Sequence, residues 1–482
     1  MKRILAVALA LAAPMSFSPA SHAHPEGVMS GALGTGSWLT AIPTAGPGVE
    51  SPGSASTTGT NAGTSKNMHL EASLAKRPVA DGGLANFNTD LAFWGSYAIA
   101  GNYDGIQIID IADPTNPRYV ATPRCPGSQN DVSAFQNLIV SSTDSLRNND
   151  TCNSTTGSGT SLDSWEGLRI WDWSDPANPE YIKSVKTDCG SHTHTTIPDV
   201  DNNRLIVYVS SYSPSATTLN CLPPHDKISV VEIPLDAPRN ARVLSEPVLF
   251  PAGGQSNTSG CHDITAYPAI GLAAGACMGE GILLDISDPA NPTVISTMTD
   301  PNFSFWHSAT FSDDGDTVVF TDELGGGTAA RCRATDRKNQ GADAFYDISD
   351  PAHPVLRGYF KIQDLTTGRH QSTAENCVSH NGSLIPAKFG RDLMVQAWYQ
   401  GGTSVIDFTD PANPFEVAFH DLPAVGATTA NTGGYWSSYW YNGRVYGTEI
   451  ARGFDVMNLS GAFDRGSLRL PYLNVQTQQP LG

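Results

Sequence analysis

Short apolar runs alternate with polar turns along most of this chain, and one polar phrase follows such runs five times. Ile108-Ile109, Ile170-Trp171, Leu283-Leu284, Phe345-Tyr346 and Val405-Ile406 each lead into an Asp, and Asp-Pro-x-x-Pro then begins at Asp113, Asp175, Asp288, Asp350 and Asp410. Runs of this length bounded by Gly, Pro, Asn and Asp read as strands. Pro cannot donate to a strand ladder, so the phrase marks where the chain leaves a third strand and turns into a fourth. One unit is easily read: strands over 305–311, 317–321, 341–348 and 355–360, with a turn at 312–316.

The phrases lie 60 to 62 residues apart except for one gap of 113, in which 230–238 supply a degenerate copy. A further unit follows at 435–440, 442–443 and 453–456, without the Pro phrase. Seven four-stranded units of about 40–60 residues are the blades of a β-propeller. A solenoid would need atypical end caps, which the pattern lacks. The fold class expected is therefore all-β, a seven-bladed propeller over residues 67–482. Either 68–74 or 468–475 is the strand that closes the ring.

The repeated run Leu283-Leu284-Asp285-Ile286-Ser287-Asp288-Pro289-Ala290-Asn291-Pro292 and its four near-copies resemble the LVIVD repeat of bacterial exported β-propeller proteins, over roughly residues 83–475. The resemblance implies fold and export. It carries no catalytic residue with it.

The N-terminus supports export independently. Lys2 and Arg3 precede an apolar run over 4–15, and Ser21-His22-Ala23 offers a small-x-small cleavage site. Residues 1–23 thus read as a signal peptide, too short for a membrane span, and the mature protein is expected in the periplasm or outside the cell. Residues 24–66 are rich in Gly, Ser, Thr and Ala and read as a flexible segment. No other stretch is apolar enough to be a transmembrane segment. The net charge of −19 argues against nucleic acid as a partner and favours cationic ligands or metal ions.

Eight cysteines suit an oxidising compartment. Their positions in the repeat suggest sequential disulfides: Cys125–Cys152, Cys189–Cys221, Cys261–Cys277 and Cys332–Cys377. No C-x-x-C pair favours a thiolate metal site.

The chemistry lies on the opening strands, which line a propeller's channel. Measured back from the phrase, consecutive blades place His194 (or His192), His262, His307 and His380 at one level, out of 12 His in the chain. Blade two offers Asn130 and Asp131 there, blade one Asn88 or Asp90, and blade seven Ser437 or Ser438. The second strand returns to the same mouth with Asp322 and Glu323, Trp398 and Tyr399, and Glu449. Imidazoles with carboxylates are the usual ligands of zinc and related divalent metals. The same His could instead hydrogen-bond across blades and line a wet channel. The run Gly325-Gly326-Gly327 has no strand-to-helix context for an anion cradle, and no G-x-S-x-G elbow is present.

Two functions follow. One is a binding or scaffold protein whose channel mouth takes a glycan, peptide or envelope component, with Asp131, Trp398, Tyr399 and Glu449 as contacts. The other is an enzyme with Zn, Cu or Fe on His194, His262, His307 and His380, and Glu323 or Asp322 as general base.

Overall fold

The computed structural model describes residues 63–77, 87–327, 331–333, 335–362, 375–387, 390–425 and 433–478. The expected signal peptide and residues 24–62 of the expected flexible segment lie outside them. Seven antiparallel sheets follow one another around a channel, with strands in simple sequence order within blades one to five. Blade one runs Asn88–Trp94, Tyr97–Asn102, Gly105–Asp110 and Arg118–Ala121, and blade five runs Trp306–Phe311, Thr317–Asp322, Asp343–Asp347 and Val355–Phe360. The degenerate copy forms the third strand of blade three, Ser229–Pro234.

The ring is closed by Met68–Ala75, which pairs with Gly453–Leu459 as the outer strand of blade seven. Just before it, Gly63–Thr64 pairs with the outer strand of blade six, so strand structure begins four residues ahead of the boundary drawn at 67. The other candidate for closure, 468–475, does something else. The stretch 468–478 crosses the end of the channel remote from the strand starts. Leu468 N–H bonds Pro386 of blade six, and the Thr477 hydroxyl bonds the Thr196 carbonyl of blade three. Gln476 and Gln478 flank Ala266 of blade four, and the Gln478 amide exchanges two bonds with Phe311 of blade five. This segment is a plug, because it bonds to strands of several blades instead of extending one.

Apolar side chains meet between blades, and each interface has its own cluster. Ile99 and Ile108 of blade one pack on Ile139 and Trp171 of blade two, and Ile206 and Tyr208 of blade three pack on Ile264 and Leu284 of blade four. The second and third strands of each blade are thus largely buried on both faces by the neighbouring blades, which explains their continuous apolar runs, while the outer strands are partly exposed.

The phrase is a double turn. Asp110, Asp172, Asp285, Asp347 and Asp407 each accept the N–H two residues on at 2.9–3.1 Å. Asp113, Asp175, Asp288, Asp350 and Asp410 do the same at 3.0–3.1 Å. These Asx turns hold the exit from each third strand, and the carboxylates are spent on backbone.

Four disulfides, Cys125–Cys152, Cys189–Cys221, Cys261–Cys277 and Cys332–Cys377, clip loops to the blades, compatible with an oxidising compartment. Among the described residues no helix is long and apolar enough to cross a membrane.

Candidate functional site

Three histidines occupy one register. The N–H groups of His192, His262 and His380 bond the carbonyls of Ser210, Ala276 and Ala397, the last residues of their blades' second strands. In blade five, Trp306 pairs with Asp322 and a bulge follows, which delivers His307 to the same level. The four imidazoles form a chain of rings with centroids 4.3, 4.0 and 4.3 Å apart in the order His192, His262, His307, His380. All four are buried.

The outer nitrogens of His192 and His380 are anchored. His192 Nδ1 bonds Asp144 Oδ2 at 2.7 Å, and His380 Nδ1 bonds the Trp436 carbonyl. The Nε2 atoms then face inward: that of His192 lies 2.9 Å from His262 Nε2, while those of His307 and His380 lie 3.8 Å from the Glu323 carboxylate. One ligand atom each from His262, His307 and Glu323 lie within 4.8 Å of one another. Ligand atoms on a tetrahedral zinc are about 3.4 Å apart for bonds of ~2.1 Å, so a small contraction would suffice. A backing carboxylate or carbonyl on the far ring nitrogen is the usual outer partner of a metal-binding imidazole.

Burial sets the protonation states. It pushes His380 down to about 3, so the ring is neutral as a ligand must be. It pushes Glu323 up to about 8, against the bond from the Tyr399 hydroxyl, which favours the carboxylate. Tyr399 sits at φ 51°, its ring 4.4 Å from His380. Gly327 explains the glycine run: at φ 72° it approaches so closely that a Cβ would lie 2.7 Å from the Tyr399 hydroxyl oxygen.

Other candidates stand apart from this cluster. Both His194 ring nitrogens are engaged at 2.8 Å by the hydroxyls of Ser133 and Ser142, so His192 takes its place. Two residues along a strand move a side chain about 6.6 Å, one layer deeper into the channel. In that layer Asp131 accepts the His194 N–H, and Asp90 accepts the hydroxyls of Ser437 and Tyr439. Burial raises Asp131 to about 7 and Asp90 well above its usual range, the latter also through the charge of Asp131. Asp322 is no base. Its two oxygens accept the N–H groups of Ser304, Phe305 and Gly341, and burial still lifts it to about 6. Glu449 is spent likewise on Gly434, Ala451 and Arg452. Trp398 belongs to the core between blades five and six, against Phe360.

Sequence reasoning missed Tyr212, whose ring stacks 5.1 Å from His262 and lies 4.8 Å from His192. It follows its second strand by two residues, as Tyr399 does, and that spacing was the available signal. A second cluster, Asp188, Cys189 and His225, offers no thiolate, because Cys189 is in a disulfide.

The LVIVD repeat pattern matches the chain over residues 88–122, 163–187, 280–300 and 346–361, the last three being third and fourth strands joined by the Asp-Pro phrase. No curated protein matches the sequence. Among solved structures, a functionally unknown protein from Desulfotomaculum acetoxidans is similar at 13% identity and TM-score 0.45, covering 71% of this chain and 88% of its own. The β-propeller domain of Myceliophteria thermophila Cps50 (Swd1) is similar at 10% identity and TM-score 0.47, covering 80% and 100%.

Proposed function

We propose that this seven-bladed propeller of LVIVD repeats is an exported binding protein whose channel mouth holds one divalent transition-metal ion. The observation that carries the reading is the convergence of His262, His307 and Glu323 ligand atoms within 4.8 Å, flanked by inward Nε2 atoms of His192 and His380. His262, His307 and Glu323 would hold the ion, and His192 has the reach to join them. Imidazole with carboxylate suits zinc, copper or iron. A bound ion would supply Lewis acidity and a more acidic bound water. Glu323, buried between two imidazoles and a phenol, either ligates or holds a proton beside the ion, and the site would then be that of a metal-dependent enzyme. Export rests on the pattern of residues 1–23 and on the four disulfides.

The test is metal analysis of untagged protein recovered from an oxidising compartment. About one equivalent of zinc, copper or iron is expected, and His262→Ala/His307→Ala should lose at least nine-tenths of it with its circular dichroism preserved. A wild-type protein that takes up no metal, or a double variant that retains it, overturns the reading.

A further inference from the structure

Beside the imidazole cluster, and opening to solvent, lies a cleft of about 270 Å³. Its walls include Asp144, Glu166, His192, Ser211 and Tyr212. His192 is shared with the channel mouth, so the cleft leads to the cluster.

Its carboxylates keep accepting capacity unused. Glu166 is 5% exposed, and no hydrogen bond from the described residues reaches its carboxyl group. Gly190 lies against its stem, where a Cβ would meet Cγ at 2.7 Å. Asp144 turns Oδ2 to His192, and Oδ1 has no partner among the described residues. The nearest cation is Lys186, but its ammonium donates to the carbonyls of Leu162 and Ser164 and to the Asn220 side chain at 2.7–3.1 Å. Tyr212, half-buried, adds an aromatic face to the same cleft. A buried carboxyl group that accepts no hydrogen bond is expensive to ionise, and burial with the charge of Asp144 raises Glu166 to about 7, against the charge of Lys186. A ligand that brings positive charge and several N–H donors removes that penalty, and an aromatic wall suits the flat face of such a group.

We infer that the cleft is a recognition site for an organic cation, a guanidinium or primary ammonium group, seated on Glu166 and Asp144 against Tyr212. The remainder of the ligand would point past His192 toward the cluster. This deepens the function proposed above by naming the ligand class. It stands separately from it, since neither Glu166 nor Asp144 is among the proposed metal ligands.

The experiment is calorimetric titration with agmatine, with the uncharged N-butylurea as control. It is run on wild type, Glu166→Gln and Glu323→Gln, with metal content measured in each. Saturable agmatine binding is expected to weaken at least tenfold in Glu166→Gln at unchanged metal content, to persist in Glu323→Gln, and to be at least tenfold tighter than that of N-butylurea. Absence of saturable agmatine binding to wild type, or equal binding to Glu166→Gln, overturns the inference. Loss of agmatine binding in Glu323→Gln also overturns it, as the cation would then sit at the cluster. If Glu166→Gln does not fold, Asp144→Asn and Tyr212→Leu replace it, with at least fivefold weakening expected in each. Acetyl-Gly-Arg-Gly-amide is the final arm: tighter binding than agmatine assigns the cation to a polypeptide side chain, weaker binding to a free amine, and both support the site.

Discussion

Replacing Asp343 with Asn should change how stability depends on pH, and by an amount large enough to measure. Asp343 begins the third strand of blade five, is fully buried, and has one oxygen bonded by the Ser379 hydroxyl while Oδ2 has no partner among the described residues. Burial raises its pKa to about 8, with the Ser379 bond opposing. The unfolded value is about 3.9, so the folded state binds the extra proton across the interval between. Stability from this group is full below pH ~4, declines as pH rises, and is gone once pH passes about 8. The slope is at most about 1.4 kcal/mol per pH unit, or about 3 kcal/mol between pH 5 and pH 7. Asn keeps the acceptor for Ser379 and does not titrate. Its amide N–H groups lack partners, a penalty of about 1 kcal/mol at all pH values. The variant should therefore be slightly less stable than wild type at pH 5 and more stable at pH 8. Urea midpoints at half-unit intervals from pH 5 to pH 8, disulfides intact, read the difference. Parallel curves for the two proteins would refute the reasoning, because water would then be solvating Asp343.

Further expectations concern the phrase, the core and the two chain ends. Asp288→Ala removes the turn bond to the Ala290 N–H, so it should cost about 1 kcal/mol in chemical denaturation and leave metal content unchanged. Trp398→Ala should cost about 3–5 kcal/mol as a core truncation, again without altering metal or agmatine binding. Deleting residues 63–76 strips the closing strand with its buried Met68, and the open edge should give oligomers in size-exclusion chromatography and rapid proteolysis. Ending the chain at residue 467 should raise hydrogen exchange at the Ala266 and Phe311 amides, whose acceptors are Gln476 and Gln478.

The fold was legible because it repeats. Each Asp-Pro-x-x-Pro copy is a local turn whose bonds run within the phrase, so it survives as sequence without any tertiary information. The cysteine pairs were legible for the same reason, lying in or beside one unit. The histidine level was legible to within one layer of the channel. His192 and His194 share a strand face, and the choice between them rests on Ser133 and Ser142 of the neighbouring blade. Such contacts span more than 50 residues and leave no spacing signal. Trp398 and Glu449 lie apart from the cluster for a related reason. Both sit at strand ends near the mouth, but Trp398 faces the preceding blade and Glu449 turns back on its own loop. The plug was invisible because 468–478 has no repeat to be compared with.

That plug ties blades six, three, four and five together across the end of the channel. With the Gln476–Gln478 stretch bonded across blades three to five, a pull on that stretch is shared by three blades at once. The ring is thereby fastened twice, once by the closing strand Met68–Ala75 and once by this stretch, which come from opposite ends of the propeller's sequence.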